Sequence, residues 1–196
     1  MRTLVPILLL TVLTGCGTVA SVKMTTLQIE NPSFKLLDNR PSETRQSRID
    51  KDASGTTTFY ADDNISPSVP ELVTAALQAE LRDKLAGRTV ILNEFVMYVY
   101  EHRASVDMNQ LHTAAASTPG GYAAAPFAGL LISSIDEVIG EKTVYVRISG
   151  KVEGQEFSTF IGDLYRGRVT ESNIQITLQK TLTQLASDVQ SVVDKK

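Results

Sequence analysis

The fold is decided by the stretch KTVYVRISGKVEGQEFSTFIGDLY, residues 142–165. Its first half alternates Val144, Val146 and Ile148 with other residues, and Glu153-Gly154-Gln155 then supplies a turn. The second half, Phe157–Tyr165, returns with the same period of two. Because such alternation places one face of a strand in the core and the other in water, the stretch predicts a β-hairpin of an antiparallel sheet.

Two segments with helical spacing supply a layer to cover this hairpin. The first begins at the capping box Ser68-Val69-Pro70-Glu71, where the two polar side chains satisfy free helix amides, and it ends at Gly87. The second is predicted over residues 170–193. Each carries an apolar stripe at three- and four-residue spacing: Val73, Leu77, Leu81 and Leu85 in the first, and Ile174, Leu178, Leu182, Leu185, Val189 and Val192 in the second.

Further strands are predicted at 33–39, 56–61 and 89–101, the last of them long and central. Residues 40–55 are polar and predict a loop with a short pairing around Ile49. The resulting order is β-β-α-β, an insertion, and β-β-α. A mostly antiparallel sheet with two long helices on one face buries every apolar stripe, so we expect an α+β two-layer sandwich.

The single cysteine of the chain, Cys16, ends an apolar run that begins at Leu4. The run has the length of a secretory signal core and is too short to cross a bilayer as a helix. Its last residues, Leu13-Thr14-Gly15-Cys16, resemble the lipobox of bacterial lipoprotein precursors. The alternatives are an ordinary signal peptide with a chance cysteine and a short buried helix.

The lipobox resemblance implies cleavage between Gly15 and Cys16, with diacylglycerol on the Cys16 sulfur and a further acyl chain on its amino group. Several acyl chains make a lasting membrane anchor. Residues 1–15 are then a lipoprotein signal peptide, residues 16–32 the lipidated cysteine and a tether, and residues 33–196 a single α+β domain. Fully extended, the tether would reach about 50 Å. Gly17 in place of an Asp favours delivery to the outer membrane, facing the periplasm.

Charge and cysteine content exclude several classes of protein. The chain has 19 basic and 22 acidic residues, and loss of Arg2 with the signal peptide leaves 18 against 22, a net charge of −4. No nucleic-acid partner is expected, because such binders usually carry a basic face. With Cys16 lipidated, no thiol remains for a disulfide or a cysteine nucleophile, so stability must come from packing.

Four features outside the lipobox have counterparts in known proteins. They are Asp38-x-Arg40 after the first strand, Lys84-Leu85-Ala86-Gly87 at the end of the first helix, the Val-x-Val element that runs from Val144 to Gly150, and the last helix. This layout resembles the YajG-like and LptE-like families of Gram-negative outer-membrane lipoproteins over most of the chain that follows Cys16. The Ala/Gly-rich insertion departs from it.

The insertion, at about 104–141, is the best functional candidate in the sequence. It contains Pro119-Gly120-Gly121 and runs of alanine, and it is longer than the loops of most compact domains. Phe127, Leu130, Leu131 and Ile135 have helical spacing and predict a short amphipathic helix. Its expected roles are to dock on a partner, to insert shallowly among lipids or to close over a groove between the sheet and the helices. The alternative is that the insertion covers the open face of the sheet.

No metal site is expected, because His102 and His112 have only Glu101 and Asp107 as generic further ligands. We interpret the two histidines as a solvent-exposed pair. The sequence also has no nucleophile elbow, Walker loop or dinucleotide-binding glycine motif.

No catalytic residue is expected among the carboxylates either. Asp62-Asp63 and Asp136-Glu137 are interpreted as a turn and a helix surface, because adjacent acids rarely face each other across a cleft. Asp38 and Arg40 are interpreted as a surface ion pair that contributes at most about 1 kcal/mol.

These patterns predict a non-catalytic, lipid-anchored accessory protein that acts by binding or assembly in the cell envelope. Its expected partners are the membrane, through the anchor, and an envelope protein, and no cofactor beyond the covalent acyl groups is expected. The alternative function is a carrier of lipid or of another hydrophobic ligand. An enzyme that uses Asp62 and Asp63 is the third possibility.

Overall fold

The computed structural model describes residues 19–25, 31–52, 55–102 and 141–195. The strands are β1 (Val22–Lys23), β2 (Lys35–Asp38), β3 (Arg48–Lys51), β4 (Gly55–Tyr60), β5 (Ile65–Ser66), β6 (Thr89–His102), β7 (Glu141–Val152) and β8 (Gln155–Arg166). The helices are a 3-10 helix (Ser42–Arg45) and the α-helices α1 (Val69–Leu81) and α2 (Glu171–Val193).

Six of these strands form one sheet in the order β3-β4-β6-β7-β8, with β2 also paired to β6. The long strand β6 holds β2 in parallel along residues 89–92 and β4 in antiparallel fashion along residues 97–102. The other pairings are antiparallel. Helix α2 packs on β7 and β8, and α1 packs on α2 and β2. The predicted α+β two-layer sandwich is confirmed.

The predicted hairpin is formed by β7 and β8 around a two-residue turn. Glu153 and Gly154 have positive φ angles of 49° and 84°, the left-handed geometry that suits the twist of a hairpin. Pairing runs without a break from Val152–Gln155 to Glu141–Arg166. Val144, Val146 and Ile148 are fully buried against the helices, as the alternation predicts.

The first helix begins at the predicted cap, and the second begins at its predicted first residue with a cap of its own. The Glu71 carboxylate accepts hydrogen bonds from the amide (2.8 Å) and the hydroxyl (2.7 Å) of Ser68. At α2 the Asn173 side chain accepts from the amide of Thr170, while the Thr170 hydroxyl accepts from the amide of Asn173. The predicted stripes lie in the core, with Val192 half-buried and Val193 buried at the end of α2.

The predicted tether is corrected at β1. Val22 and Lys23 pair in parallel with Ile65 and Ser66, and Val22 is only 1% exposed. The Lys23 amide also donates to the Glu171 carboxylate at 3.0 Å. These two residues therefore belong to the folded domain. Val19 and Met24 also pack partly against the core, but so short an apolar segment has no sustained period that would predict a strand.

Several predictions fall on residues that the structure leaves out. The lipobox Leu13–Cys16, the insertion with Phe127, Leu130, Leu131 and Ile135, His112, and the pair Asp136-Glu137 lie outside the described residues. Within the described ranges, neither α-helix combines the length and the hydropathy that a membrane span requires.

Candidate functional site

Arg40 and its two carboxylates form a buried ion cluster rather than the predicted surface pair. The Arg40 side chain has no solvent-exposed area, and its Nε and Nη2 atoms each lie 2.9 Å from the Asp38 carboxylate. Nη2 also donates to Asp62 at 2.8 Å. The predicted surface location is wrong for Arg40, so the value of at most about 1 kcal/mol, which applies to surface pairs, does not apply to this cluster.

The electrostatics of the cluster keep its charges in place. Burial acts to raise the pKa of Asp38, but hydrogen bonds from the Arg40 side chain and amide outweigh it and hold that pKa below its ordinary value. Burial likewise opposes the charge of Arg40, and its hydrogen bonds to the two carboxylates nevertheless raise its pKa. Asp38 and Arg40 are therefore both ionised near neutral pH.

The role of the cluster is to join three elements. Asp62 also accepts from the amide of Val69 at 3.3 Å, at the start of α1, and Arg45 of the 3-10 helix donates to the backbone oxygen of Arg40 at 2.9 Å. Asp63 instead accepts from the amide and the hydroxyl of Ser47. The predicted turn at Asp62-Asp63 is thus observed, and each carboxylate holds the local fold through its own partner.

Only one of the two histidines lies within the described residues. His102 is the last residue of β6, and its proposed companion lies outside the described residues. In the part of the chain that the structure describes, no group of three His, Cys, Asp or Glu side chains is placed to hold a metal ion.

A row of aromatic side chains crosses the face of the sheet that lies opposite the helices. The register places Phe59 beside Tyr98, and Tyr98 beside Tyr145. The ring centroids are 5.6 Å apart in the first pair and 5.0 Å in the second, and Phe160 on β8 extends the row at 6.4 Å from Tyr145. At the other end, the Arg48 guanidinium lies 3.8 Å from the centroid of Phe59. We call Arg48, Phe59, Tyr98, Tyr145 and Phe160 the aromatic row.

The row is most exposed at β8. Phe160 is 66% exposed to water. Leu164, four residues later on the same face of the strand, is 60% exposed. Apolar side chains are unusual on the wet face of an antiparallel sheet, which normally alternates apolar-in with polar-out. Folding of the single chain therefore leaves these two apolar side chains exposed to water.

Charged pairs lie beside the row, on the side of the β7–β8 turn. Arg147 lies 3.3 Å from Glu94, and Lys151 lies 3.1 Å from Glu156. Burial first, and then the neighbouring Tyr145, raise the pKa of Tyr98, so this ring stays neutral at physiological pH. The outer face thus has a neutral aromatic centre and a mixed-charge border, which is the layout of many protein interfaces.

This site is not among the sequence predictions, although a signal for it exists. The predicted alternation of the strand rests on Phe157 and Thr159, which the structure buries, and leaves aside the residues of opposite phase. Phe160 and Leu164 occupy that phase and interrupt a clean apolar–polar alternation. Their apolar character at wet-face positions could have predicted a binding surface.

No family model, curated protein or solved structure matches this chain.

Proposed function

We propose that this protein is a lipid-anchored accessory protein of the outer membrane, facing the periplasm, that acts without catalysis by binding another envelope protein. The observation that carries the proposal is the exposure of Phe160 and Leu164 at the end of the aromatic row. The lipobox resemblance of Leu13–Cys16 supports the anchor and the compartment.

A protein partner suits the energetics of this face. Full burial of a Phe or Leu side chain contributes roughly 1.5–3 kcal/mol, so a partner that covers Phe160 and Leu164 would gain a substantial part of its binding energy there. Aromatic and arginine side chains are enriched among the residues that dominate protein interfaces. The ion pairs at the border would orient the partner and disfavour wrong ones.

The proposal is tested by photo-crosslinking in cells that carry the full chain. A photoreactive phenylalanine analogue replaces Tyr145, in the middle of the row, and in a control it replaces Glu80, which is exposed on α1. We expect a crosslinked product from position 145 that contains a second, different envelope protein. Adding the double substitution Phe160→Ser/Leu164→Ser should abolish it, while thermal unfolding of the protein stays nearly unchanged.

Two results would overturn this function. One is equal crosslinking from positions 145 and 80, and the other is a product that survives the double substitution. The anchor has its own test, because Cys16→Ser should remove both membrane association and labelling by a fatty-acid probe. If that variant stays membrane-bound and labelled, the anchor is wrong.

A further inference from the structure

Strand β8 has an open edge within the described residues. It pairs with β7 along all 12 of its residues, and no described strand pairs with its other side. An open edge of this length normally carries a protective proline, bulge or central charge. On its wet face β8 carries charges only at the two ends, Glu156 and Arg166, with Ser158, Phe160, Gly162 and Leu164 between them. The charge on its other face, Asp163, is paired with Lys180 of α2 at 2.9 Å.

The hairpin turn determines which residues present free backbone groups at this edge. Val152 and Gln155 flank the two-residue turn and form a hydrogen-bonded pair, and in an antiparallel ladder such pairs alternate with non-bonded ones. The odd-numbered residues of β8 therefore bond to β7. The even-numbered residues, from Glu156 to Arg166, direct their N–H and C=O groups outward.

The sequence of this edge is complementary to itself. If two copies of β8 lie antiparallel about Ile161, Glu156 of each copy faces Arg166 of the other, and Ser158 faces Leu164. Opposite charges on directly facing residues stabilise a strand pair. Moving the centre by one residue to Phe160 or Gly162 breaks both Glu–Arg pairs, so the charges select one register.

The same register gives the exposed Phe160 ring a place beside the second copy. It places Phe160 of one copy opposite Gly162 of the other, where the absence of a side chain leaves room for a ring. A Cβ atom built on Gly162 would lie 3.7 Å from the Tyr145 ring, so a ring placed over this glycine would continue the aromatic row across both sheets. Aromatic residues facing glycine across strands are a known means of stabilising a sheet edge.

Helix α2 adds an apolar contact under this edge. Lys180 of α2 donates to Asp163 of β8 at 2.9 Å, so this flank of the helix lies beside the strand. Ile176 lies one turn before Lys180 on the same flank and is 47% exposed. It would approach the second copy below the joined edges.

We propose that β8 binds β8 of a second copy of this chain, antiparallel and centred on Ile161, so that two sheets join into one. The inference shares Phe160 and Leu164 with the proposed function but does not rest on it, because it uses the backbone edge and the end charges of β8 and leaves both side chains on the outer face of the joined sheet. A symmetric dimer of this kind is closed and leaves no further β8 edge open.

Disulfide crosslinking of the full chain in its membrane tests the register. Facing residues in the central non-bonded pair have Cα atoms about 4.5 Å apart, within disulfide range. Ile161→Cys should therefore give about tenfold more covalent dimer under mild oxidation than Ser158→Cys, whose two copies would be about 20 Å apart. The unsubstituted chain, whose only cysteine is Cys16, gives the background.

Exchanging the charges tests whether Glu156 of one copy faces Arg166 of the other. The comparison of single and double exchanges does not depend on whether any one variant folds. Glu156→Arg or Arg166→Glu alone, in the Ile161→Cys background, should lower the dimer yield about tenfold, and the two together should restore it. Sedimentation of the unsubstituted protein in detergent should give the mass of two chains.

Three outcomes would overturn the proposal. They are equal crosslinking from positions 158 and 161, a double exchange that restores nothing, and a crosslinked product from position 161 that contains another protein or only one chain. The heteromeric crosslink from position 145, described above, is unaffected by any of them, so this inference and the proposed function can fail separately.

Discussion

At Arg40 a guanidinium group lies wholly out of contact with water between two carboxylates that keep 17% and 23% of their side-chain surface exposed. Removing one member of such a cluster leaves the others desolvated without a partner. That loss costs far more than the loss of a surface pair. The strongest stability effects of single polar substitutions in the described domain should therefore fall on Arg40.

We expect Arg40→Met to lower the free energy of unfolding by about 2–4 kcal/mol, somewhat below the usual cost of breaking a fully buried pair because Asp38 and Asp62 keep some exposure. Arg40→Lys should cost less, since it retains the charge but loses the fork that reaches both acids. Lys84→Met is the control, because its pair with Asp194 is about half exposed and should contribute little to stability. Urea unfolding measures all three, and equal costs for Arg40→Met and Lys84→Met would contradict the prediction.

The lowered pKa of Asp38 predicts a specific pH dependence. Its folded pKa lies below the unfolded value of about 3.9, so the ionised carboxylate stabilises the fold above that pH, and the contribution is lost as the pH falls through the folded pKa. Asp38→Asn should therefore be less stable than the unsubstituted protein at pH 6, and the difference should shrink below about pH 4. Unfolding curves at pH 6, 5, 4 and 3 test this, and a difference that stays constant over this range would refute it.

At the scale of the elements, the close pairing of β6 and β7 depends on a residue without a side chain. A Cβ atom at Gly150 would collide with the backbone oxygen of Ile91 and lie 2.6 Å from the Phe157 ring. The register also shifts nearby, between Leu92 and Glu94, where β6 carries one extra residue. Gly150 thus allows two backbones to approach beside a bulge.

Gly150→Ala should therefore destabilise the protein by about 2–3 kcal/mol through overpacking. Gly162→Ala is a matched control on the neighbouring strand, since its new Cβ would meet only the Tyr145 ring at an ordinary 3.7 Å. That change should leave stability within about 0.5 kcal/mol or slightly raise it. Thermal unfolding of both variants measures the difference. A Gly150→Ala protein as stable as Gly162→Ala would show that small shifts relieve the collision at little cost in stability.

The elements that could be predicted from the sequence are those whose apolar pattern repeats many times. The alternation of β7 and β8 and the stripes of α1 and α2 each repeat over several residues, and the structure places them within a few residues of the prediction. β1 and β5 have two residues each and are defined by one partner strand, so no local pattern indicates them. The parallel pairing of β2 with β6 is likewise a long-range contact that local sequence does not encode.

The candidate sites could be predicted less well than the fold, for two physical reasons. Burial of Arg40 depends on Asp62, 22 positions away, so the spacing Asp38-x-Arg40 alone suggests a surface pair. The aromatic row depends on the register of four strands, which places Phe59, Tyr98, Tyr145 and Phe160 side by side although they are far apart in sequence. Only the exposed apolar phase of β8 could have been recognised from local sequence.

At the scale of the whole molecule, the docking of β1 changes how the domain would sit at a membrane. Val22 is fixed against Ile65, and β1 also contacts α2, where the Gln175 side chain donates to the Lys23 backbone oxygen at 2.6 Å. Val22 lies only six positions after Cys16. If Cys16 carries the anchor, the free tether reaches about 20 Å rather than the 50 Å of a longer one. The beginning of α2 would then face the membrane.

This geometry predicts a fixed orientation that fluorescence can measure. Helix α2 has 23 residues and is about 35 Å long, so its two ends should differ in their distance from the bilayer. We expect a fluorophore at Arg168→Cys, just before α2, to be quenched strongly by lipid-attached quenchers in vesicles holding the acylated protein, and one at Lys195→Cys to be quenched weakly. Inserting about 20 Gly/Ser residues after Gly17 lengthens the tether and should reduce the difference, because a flexible chain lets the domain tumble. Equal quenching at both ends with the short tether would show that β1 does not orient the domain.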